Sequence, residues 1–175
     1  MPFYNSNSAP KTPNSTRKAA ASVVNKHLVD GRYKIVQLVG EGSQGKVYKV
    51  EDSHDNHKIK ALKEVRVMNL KEFDAAFRES NILRKLNSEF IVKYLEYYDD
   101  LKNNYFYILT EFYEDGTLDQ LIIKKRKLNE TLSNDTIMTY CTQILKAIDC
   151  LHDNLITHRD LKPALVFNNF IITKK

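Results

Sequence analysis

At 175 residues the chain fits one domain or a little more, and 42% hydrophobic with 28% charged residues is an ordinary balance for a packed core. No apolar run approaches the roughly 20 residues needed to cross a bilayer, and the start, Met1-Pro2-Phe3-Tyr4-Asn5, lacks the charged-then-apolar order of a secretory leader. The net charge of +5 is concentrated in Lys11, Arg17, Lys18 and Lys26, ahead of the first acid at Asp30; the rest is near neutral, so neither a basic patch for nucleic acid nor a membrane-binding surface is expected.

Residues 1–29 are rich in Asn, Ser, Pro and Lys without a sustained apolar period, which predicts a disordered basic tail. Strand-like runs follow at Tyr33–Gly40, Lys46–Glu51, Ile59–Val65, Ile91–Tyr98 and Tyr105–Glu111, separated by turn chemistry such as Asp52-Ser53-His54-Asp55-Asn56. One helical pattern, Leu70–Leu86, interrupts them, with Asn69 as N-cap and Glu72 three residues on. After Gly116 the chain turns helical, first from Leu118 and then from about Asp135 to His152. In the longer helix Ile137, Cys141, Ile144, Ile148 and Leu151 form a 3.6-period stripe. Cys141 and Cys150 make neither a disulfide framework nor a zinc site, so a reducing interior, cytoplasm or nucleus, is the expected setting.

Gly40-Glu41-Gly42-Ser43-Gln44-Gly45-Lys46-Val47 contains G-x-G-x-x-G. Glycines at this spacing let backbone N–H groups approach a polyphosphate without side chains in the way. A dinucleotide fold needs a helix directly after the glycines, yet Val47-Tyr48-Lys49-Val50 reads as strand; a Walker loop needs Ser or Thr where Val47 stands. A glycine hairpin between two strands remains, lying over phosphates or serving merely as a turn.

In Ile59-Lys60-Ala61-Leu62-Lys63-Glu64-Val65, period two puts Ala61 and Lys63 on one face. A small apolar residue beside a lysine suits a flat base with phosphates next to it; the bland alternative is a surface lysine. The helix shifts that balance. At about 100° per residue, Glu79 is flanked by Ala75, Ile82 and Leu86 on one side and by Ala76 and Leu83 on the other. An unpaired carboxylate in an apolar stripe is costly. Lys63 is the cation expected to pair with it.

Past the long helix, His158-Arg159-Asp160-Leu161-Lys162-Pro163 resembles the catalytic loop of serine/threonine protein kinases. With the glycine turn, Ala61-Leu62-Lys63 and Glu79, the motifs stand in kinase order, and the resemblance covers about residues 32–172. Ala61-Leu62-Lys63-Glu64-Val65 and Gly45-Lys46-Val47-Tyr48-Lys49-Val50 look most like NIMA-related kinases. The resemblance implies an α+β fold: residues 30–111 form an N-lobe of five antiparallel strands plus one helix, and residues 112–175 a hinge and part of a helical C-lobe.

It also implies ATP as cofactor and a protein substrate or regulatory protein as partner. Gly40, Gly42 and Gly45, with Glu41 and Ser43 between them, would arch over the phosphates. Lys63, held by Glu79, would bind the α- and β-phosphates. Val47 and Ala61 would roof the adenine and Phe167 floor it; Thr110 would be the gatekeeper, and Glu111 to Tyr113 the hinge. Asp160 would accept the substrate hydroxyl's proton, with Lys162 near the γ-phosphate and Arg159 facing an activation loop. Leu83, Tyr94 and His158 match layers of the column linking the lobes.

The pattern departs in two places. Five residues after Asp160 the family has an asparagine that binds magnesium; here Leu165 stands, and the sequence runs through Phe170-Ile171-Ile172 to Lys175 without reaching D-F-G. The family's magnesium ligands are therefore expected to be missing and the apolar stripe of the long helix exposed. Three readings stay open: a kinase by descent, a catalytically impaired module that binds nucleotide or a partner, or an unstable relic without function.

Overall fold

The computed structural model of the chain describes residues 27–28, 31–43, 45–167 and 170–171. A two-residue strand β1 (His27–Leu28) pairs along Tyr33 and Lys34 at one sheet edge. The rest of the expected tail lies outside the described residues. The antiparallel sheet of five strands is present as β2 (Tyr33–Gly42), β3 (Gly45–Asp52), β4 (Lys58–Arg66), β5 (Tyr94–Asp100) and β6 (Tyr105–Glu111). Their spatial order is β2-β3-β4-β6-β5, with helix α1 (Leu70–Lys85) between β4 and β5 in sequence. Then come α2 (Leu118–Lys127), α3 (Asn134–Asp153), a 3-10 turn at Pro163–Leu165 and a small hairpin of β7 (Val166–Phe167) with β8 (Phe170–Ile171).

Local chemistry sets these limits. Asn69 caps α1 as expected: its side chain accepts the Glu72 N–H at 3.0 Å, while the Glu72 carboxylate accepts the Met68 N–H at 2.7 Å. Thr117 and Gln120 form a reciprocal capping box on α2. The strand predicted from Ile91 begins instead at Tyr94. Ile91 is taken up by another surface, buried against Ala147 and Leu151 of α3.

The sheet is packed on both faces. Strand β6 alternates, Phe106 and Ile108 toward α1 with Val67, Ala76 and Leu83, and Tyr107 and Leu109 toward Tyr33, Val50 and Leu62. The buried stripe of α1 differs from the one predicted: Ala76, Ser80 and Leu83 are buried, whereas Ala75 faces solvent. Phe73 and Phe77, packed on Phe106 and Tyr97, rotate the helix so that Ser80 enters the core. On α3 the expected stripe is covered only toward its end. Leu151 is buried, Ile144 and Ile148 are half-buried, and Ile137 and Cys141 are exposed.

A buried ionic network fastens the face of the sheet away from α1. Asp52, with no exposed surface, takes two hydrogen bonds from Arg32, at 2.9 and 2.7 Å, and one from Lys60 at 2.6 Å. Arg32 also reaches Glu96 at 3.0 Å, and Tyr33 donates to the same carboxylate. The Arg32 hydrogen bonds hold the Asp52 carboxyl well below the usual carboxylate range.

Removing Asp52 would leave the Lys60 ammonium buried without its main partner, so Asp52→Ala is expected to cost about 3–5 kcal/mol of folding stability. Because the folded-state value is depressed, this contribution is complete above the ordinary carboxylate pKa of 3.8 and disappears as pH falls below it. Urea titrations from about pH 5 down to about pH 2 should show the parent losing its advantage over the variant. A parent and variant of equal stability at neutral pH would contradict the assignment.

Candidate functional site

The glycine turn is a hairpin between two strands, as its flanking residues predicted. Gly40 stands across from Val47, Glu41 from Lys46 and Gly42 from Gly45, with Ser43 at the exposed tip. The Lys46 ammonium lies 3.4 Å from Glu41, both largely exposed. The glycines differ in what they require. Gly45 has φ +121°, and a Cβ there would lie 2.0 Å from the Glu64 carbonyl oxygen, so only glycine fits. At Gly40 and Gly42 a Cβ would meet nothing within 4 Å. The protein leaves that surface open.

Beneath the hairpin, register brings the expected side chains to one face. Val47 stands opposite Lys63, Lys63 opposite Ile108, and Ala61 opposite Thr110, so all lie on the sheet face that carries α1. Lys60, Leu62 and Glu64 alternate onto the other face and are buried there. From α1, Glu79 reaches Lys63 at 2.5 Å, with side-chain exposures of 16% and 22%. The ion pair expected from the sequence is formed. Glu79 sits at the rim of the helix's buried stripe rather than in its middle, which leaves the pair facing the cleft.

The segment after β6 frames the cleft's far side. Thr110 donates to the Glu111 carbonyl at 3.3 Å, and the Glu111 N–H bonds the Lys93 carbonyl at 3.0 Å. The Tyr113 hydroxyl donates to the Glu111 carboxylate at 3.1 Å, and burial first, Glu111 second, push the Tyr113 phenol up to about 12. Phe167 on β7 packs against Tyr113, ring centroids 6.3 Å apart, and bridges to Thr117.

In the loop after α3, His158 is buried and its Nδ1 accepts the Asp160 N–H at 3.3 Å. Arg159 takes φ 63°, turning the chain so that Asp160 and Lys162 both emerge, 3.3 Å apart and about half exposed. Leu83 and Tyr94 share one core cluster, while His158 belongs to the loop below. Leu165 closes the 3-10 turn with its N–H on the Lys162 carbonyl at 2.9 Å.

A family model described as protein kinase domain matches residues 33–175. The chain belongs to that family. It is 34% identical over 158 residues to the serine/threonine-protein kinase Nek11 of Homo sapiens, which covers 87% of the chain and 24% of that relative. It is 34% identical over 141 residues to the probable serine/threonine-protein kinase nek2 of Dictyostelium discoideum, 78% of the chain and 34% of the relative. Calcium-dependent protein kinase 4 of Plasmodium berghei (strain Anka) is 31% identical over 153 residues, 86% of the chain and 28% of the relative. The chain thus spans about a quarter to a third of the length of the curated relatives it matches.

Two features of the cleft bear on what it could hold. The space above Gly40 and Gly42 is unfilled, and a paired ammonium stands below it. At the position of the family's metal-binding asparagine, Leu165 offers no oxygen, and among the described residues no group of three His, Cys, Asp or Glu could hold an ion. Among the same residues no helix is long and apolar enough to cross a membrane.

Sequence reasoning missed Lys49. It shares the cleft face with Ala61, pairs with Glu114 at 2.8 Å and lies 4.9 Å from the Phe112 ring centre, tying β3 to the segment after the hinge. Its place two residues after Val47 on one strand face was the available signal.

The glycines separate structure from ligand access. Gly45→Ala is expected to destabilise by more than about 1 kcal/mol, from positive φ and the Glu64 clash. Gly42→Ala should stay within about 0.5 kcal/mol of the parent. Thermal unfolding of both variants checks the contrast, and equal losses would contradict it.

Proposed function

We propose that the chain is the ATP-binding part of a serine/threonine protein kinase, and that its own residues hold nucleotide better than they promote transfer. The observation that carries the first half is the Lys63–Glu79 pair under an open glycine hairpin. The serine/threonine assignment follows the His158–Pro163 loop and the likeness to serine/threonine-protein kinases.

In this reading Lys63 orients the α- and β-phosphates, and backbone N–H groups of the hairpin cover them. Val47 and Ala61 above and Phe167 below would hold the base, with the Glu111–Tyr113 backbone at its edge and Thr110 behind it. ATP supplies the phosphoryl group when bound. Asp160 accepts the proton of an incoming serine or threonine hydroxyl, and the Lys162 ammonium beside it faces the transferred group.

Leu165 favours a second reading beside this one, an impaired kinase-like module. It removes an oxygen donor from the place where the family neutralises phosphate charge, and this chemistry rests mainly on such neutralisation and on positioning. Every 1.36 kcal/mol of transition-state stabilisation lost slows transfer about tenfold.

Adenine nucleotide at about 100 times its dissociation constant should stabilise the fold by roughly 2.7 kcal/mol, and nearly as much with chelator as with magnesium. With nucleotide present, a Lys63→Met and Glu79→Gln double-mutant cycle should give coupling of about 0.5–3 kcal/mol. Absence of any thermal shift with adenine nucleotides would overturn the site. Radiolabelled-phosphate transfer that Asp160→Ala abolishes would overturn the impairment.

A further inference from the structure

Helix α2 has two contrasting faces. Leu118, Leu121, Ile122 and Lys125 are partly covered by the protein. The opposite face carries Gln120, Ile123, Lys124 and Lys127 at i, i+3, i+4 and i+7, continued by Leu128 at the C-cap. An outward face of this kind is ordinarily polar throughout. Here Ile123 is 44% and Leu128 56% exposed, and together with Gln120, Lys124 and Lys127 they line an open groove of about 380 Å³.

Charge is gathered at the same place. The near-neutral folded part expected from composition conceals a run of consecutive cations, Lys124-Lys125-Arg126-Lys127. Lys125 is answered by Glu130 at 2.6 Å. No acidic partner stands against Lys124, Arg126 or Lys127 among the described residues. Cations in a last turn do favour the helix dipole, by a few tenths to about 1 kcal/mol each, but the effect is confined to that turn and does not explain an apolar pair between them.

The backbone under this patch is fixed. The Glu130 N–H bonds the Lys125 carbonyl at 2.9 Å and the Asn129 N–H bonds the Arg126 carbonyl at 3.1 Å, with Asn129 at φ 53°. This is a Schellman closure. It holds the basic run as helix, whereas a receptor for linear basic signals needs an extended strand.

We propose that this face of α2 is a docking site for an acidic peptide segment of a protein partner, with one apolar side chain of that segment seated between Ile123 and Leu128. Lys124 and Lys127 stand on the rims, where they meet carboxylates flanking the anchor. The exposed apolar pair, set between cations that are unpaired among the described residues, favours an acidic segment with an apolar anchor over an anionic lipid surface, which would meet the cations first. The site is separate from the proposed nucleotide cleft, so it stands or falls independently of nucleotide binding.

The test is fluorescence anisotropy on the full chain, with a panel of short labelled peptides of Glu and Asp around a central Leu, Ile or Phe. At least one should bind, and more weakly as salt is raised. The Lys124→Glu/Lys127→Glu and Ile123→Ser/Leu128→Ser variants should each weaken it by about tenfold or more, which corresponds to 1.4 kcal/mol, while cooperative unfolding is retained. Lys63→Met should leave it unaffected. No binding by any peptide, equal binding of peptides with Lys in place of the acids, or full affinity in the Ile123→Ser/Leu128→Ser variant would overturn the site. Retention of the chain on phosphatidylserine vesicles without peptide binding would overturn it in favour of a lipid surface.

Discussion

The arrangement of this domain depends on one lysine held in a strand that cannot shift. Strand β4 pairs with β3 over Lys58–Glu64 and with β6 over Lys60–Arg66. A slip of one residue would turn Lys63 to the far face and bring Leu62 or Glu64 into the cleft. That slip would also bury Lys63 where Asp52 cannot reach it and expose Leu62, now without any exposed surface. The lysine is therefore fixed along the strand before any partner reaches it. Glu79 then sets its direction, and in doing so couples the seating of α1 to the cleft.

The two faces of β4 use charge in opposite ways. Lys60, two-sided by Asp52 and Asp55, is buried and serves the fold; burial pulls its ammonium down, but the two carboxylates outweigh it and the net shift is upward. Lys63 retains 22% exposure and pairs, among the described residues, with Glu79 alone. Removing either carboxylate would have different consequences, because the cost of an orphaned charge rises with its burial. The joint to the helical part is made elsewhere, by Ile91 in the Ala147–Leu151 cluster and by Lys146 over the Phe90 ring at 4.8 Å. Lys49–Glu114 and the Thr117–Phe167 bridge close the side near the hinge.

Much of this was legible because the informative signals are local. Asn69 announces α1 by its own capping bond, and strand boundaries follow turn chemistry to within a few residues. Glu79 was legible because a carboxylate beside Ala76 and Leu83 demands a cation. What escaped was long-range. Asp52 reads as an ordinary turn residue, yet its bonds run to Arg32, twenty positions away. Ser80 is polar, and only the packing of Phe73 and Phe77 turns it inward. Val36, Leu38 and Val39 are apolar yet stand 42–46% exposed, and two register shifts in β2 break its alternation there. Net charge, being a sum, concealed the basic end of α2.

A consequence for chemistry lies in how the cleft's cations are already answered. Lys63 is met by Glu79 at 2.5 Å and Lys162 by Asp160 at 3.3 Å, so each ammonium comes with a carboxylate of its own. Paired in this way, they can aim hydrogen bonds at phosphate oxygens but contribute little net positive charge. Leu165 adds none. A general base such as Asp160 is worth roughly 10²–10⁴-fold, and at 40% exposure its field is weakened by water. Neither effect replaces the charge that a polyphosphate must lose as transfer proceeds. In the proposed site the favourable free energy of binding therefore resides with the adenine half, where Val47, Ala61, Tyr113 and Phe167 are all partly shielded from water. Two of these are aromatic rings that pack on each other at a tilt, centroids 6.3 Å apart. In the proposed function these residues orient a nucleotide, and Lys63 and Lys162, each answered by a carboxylate, add little net positive charge of their own.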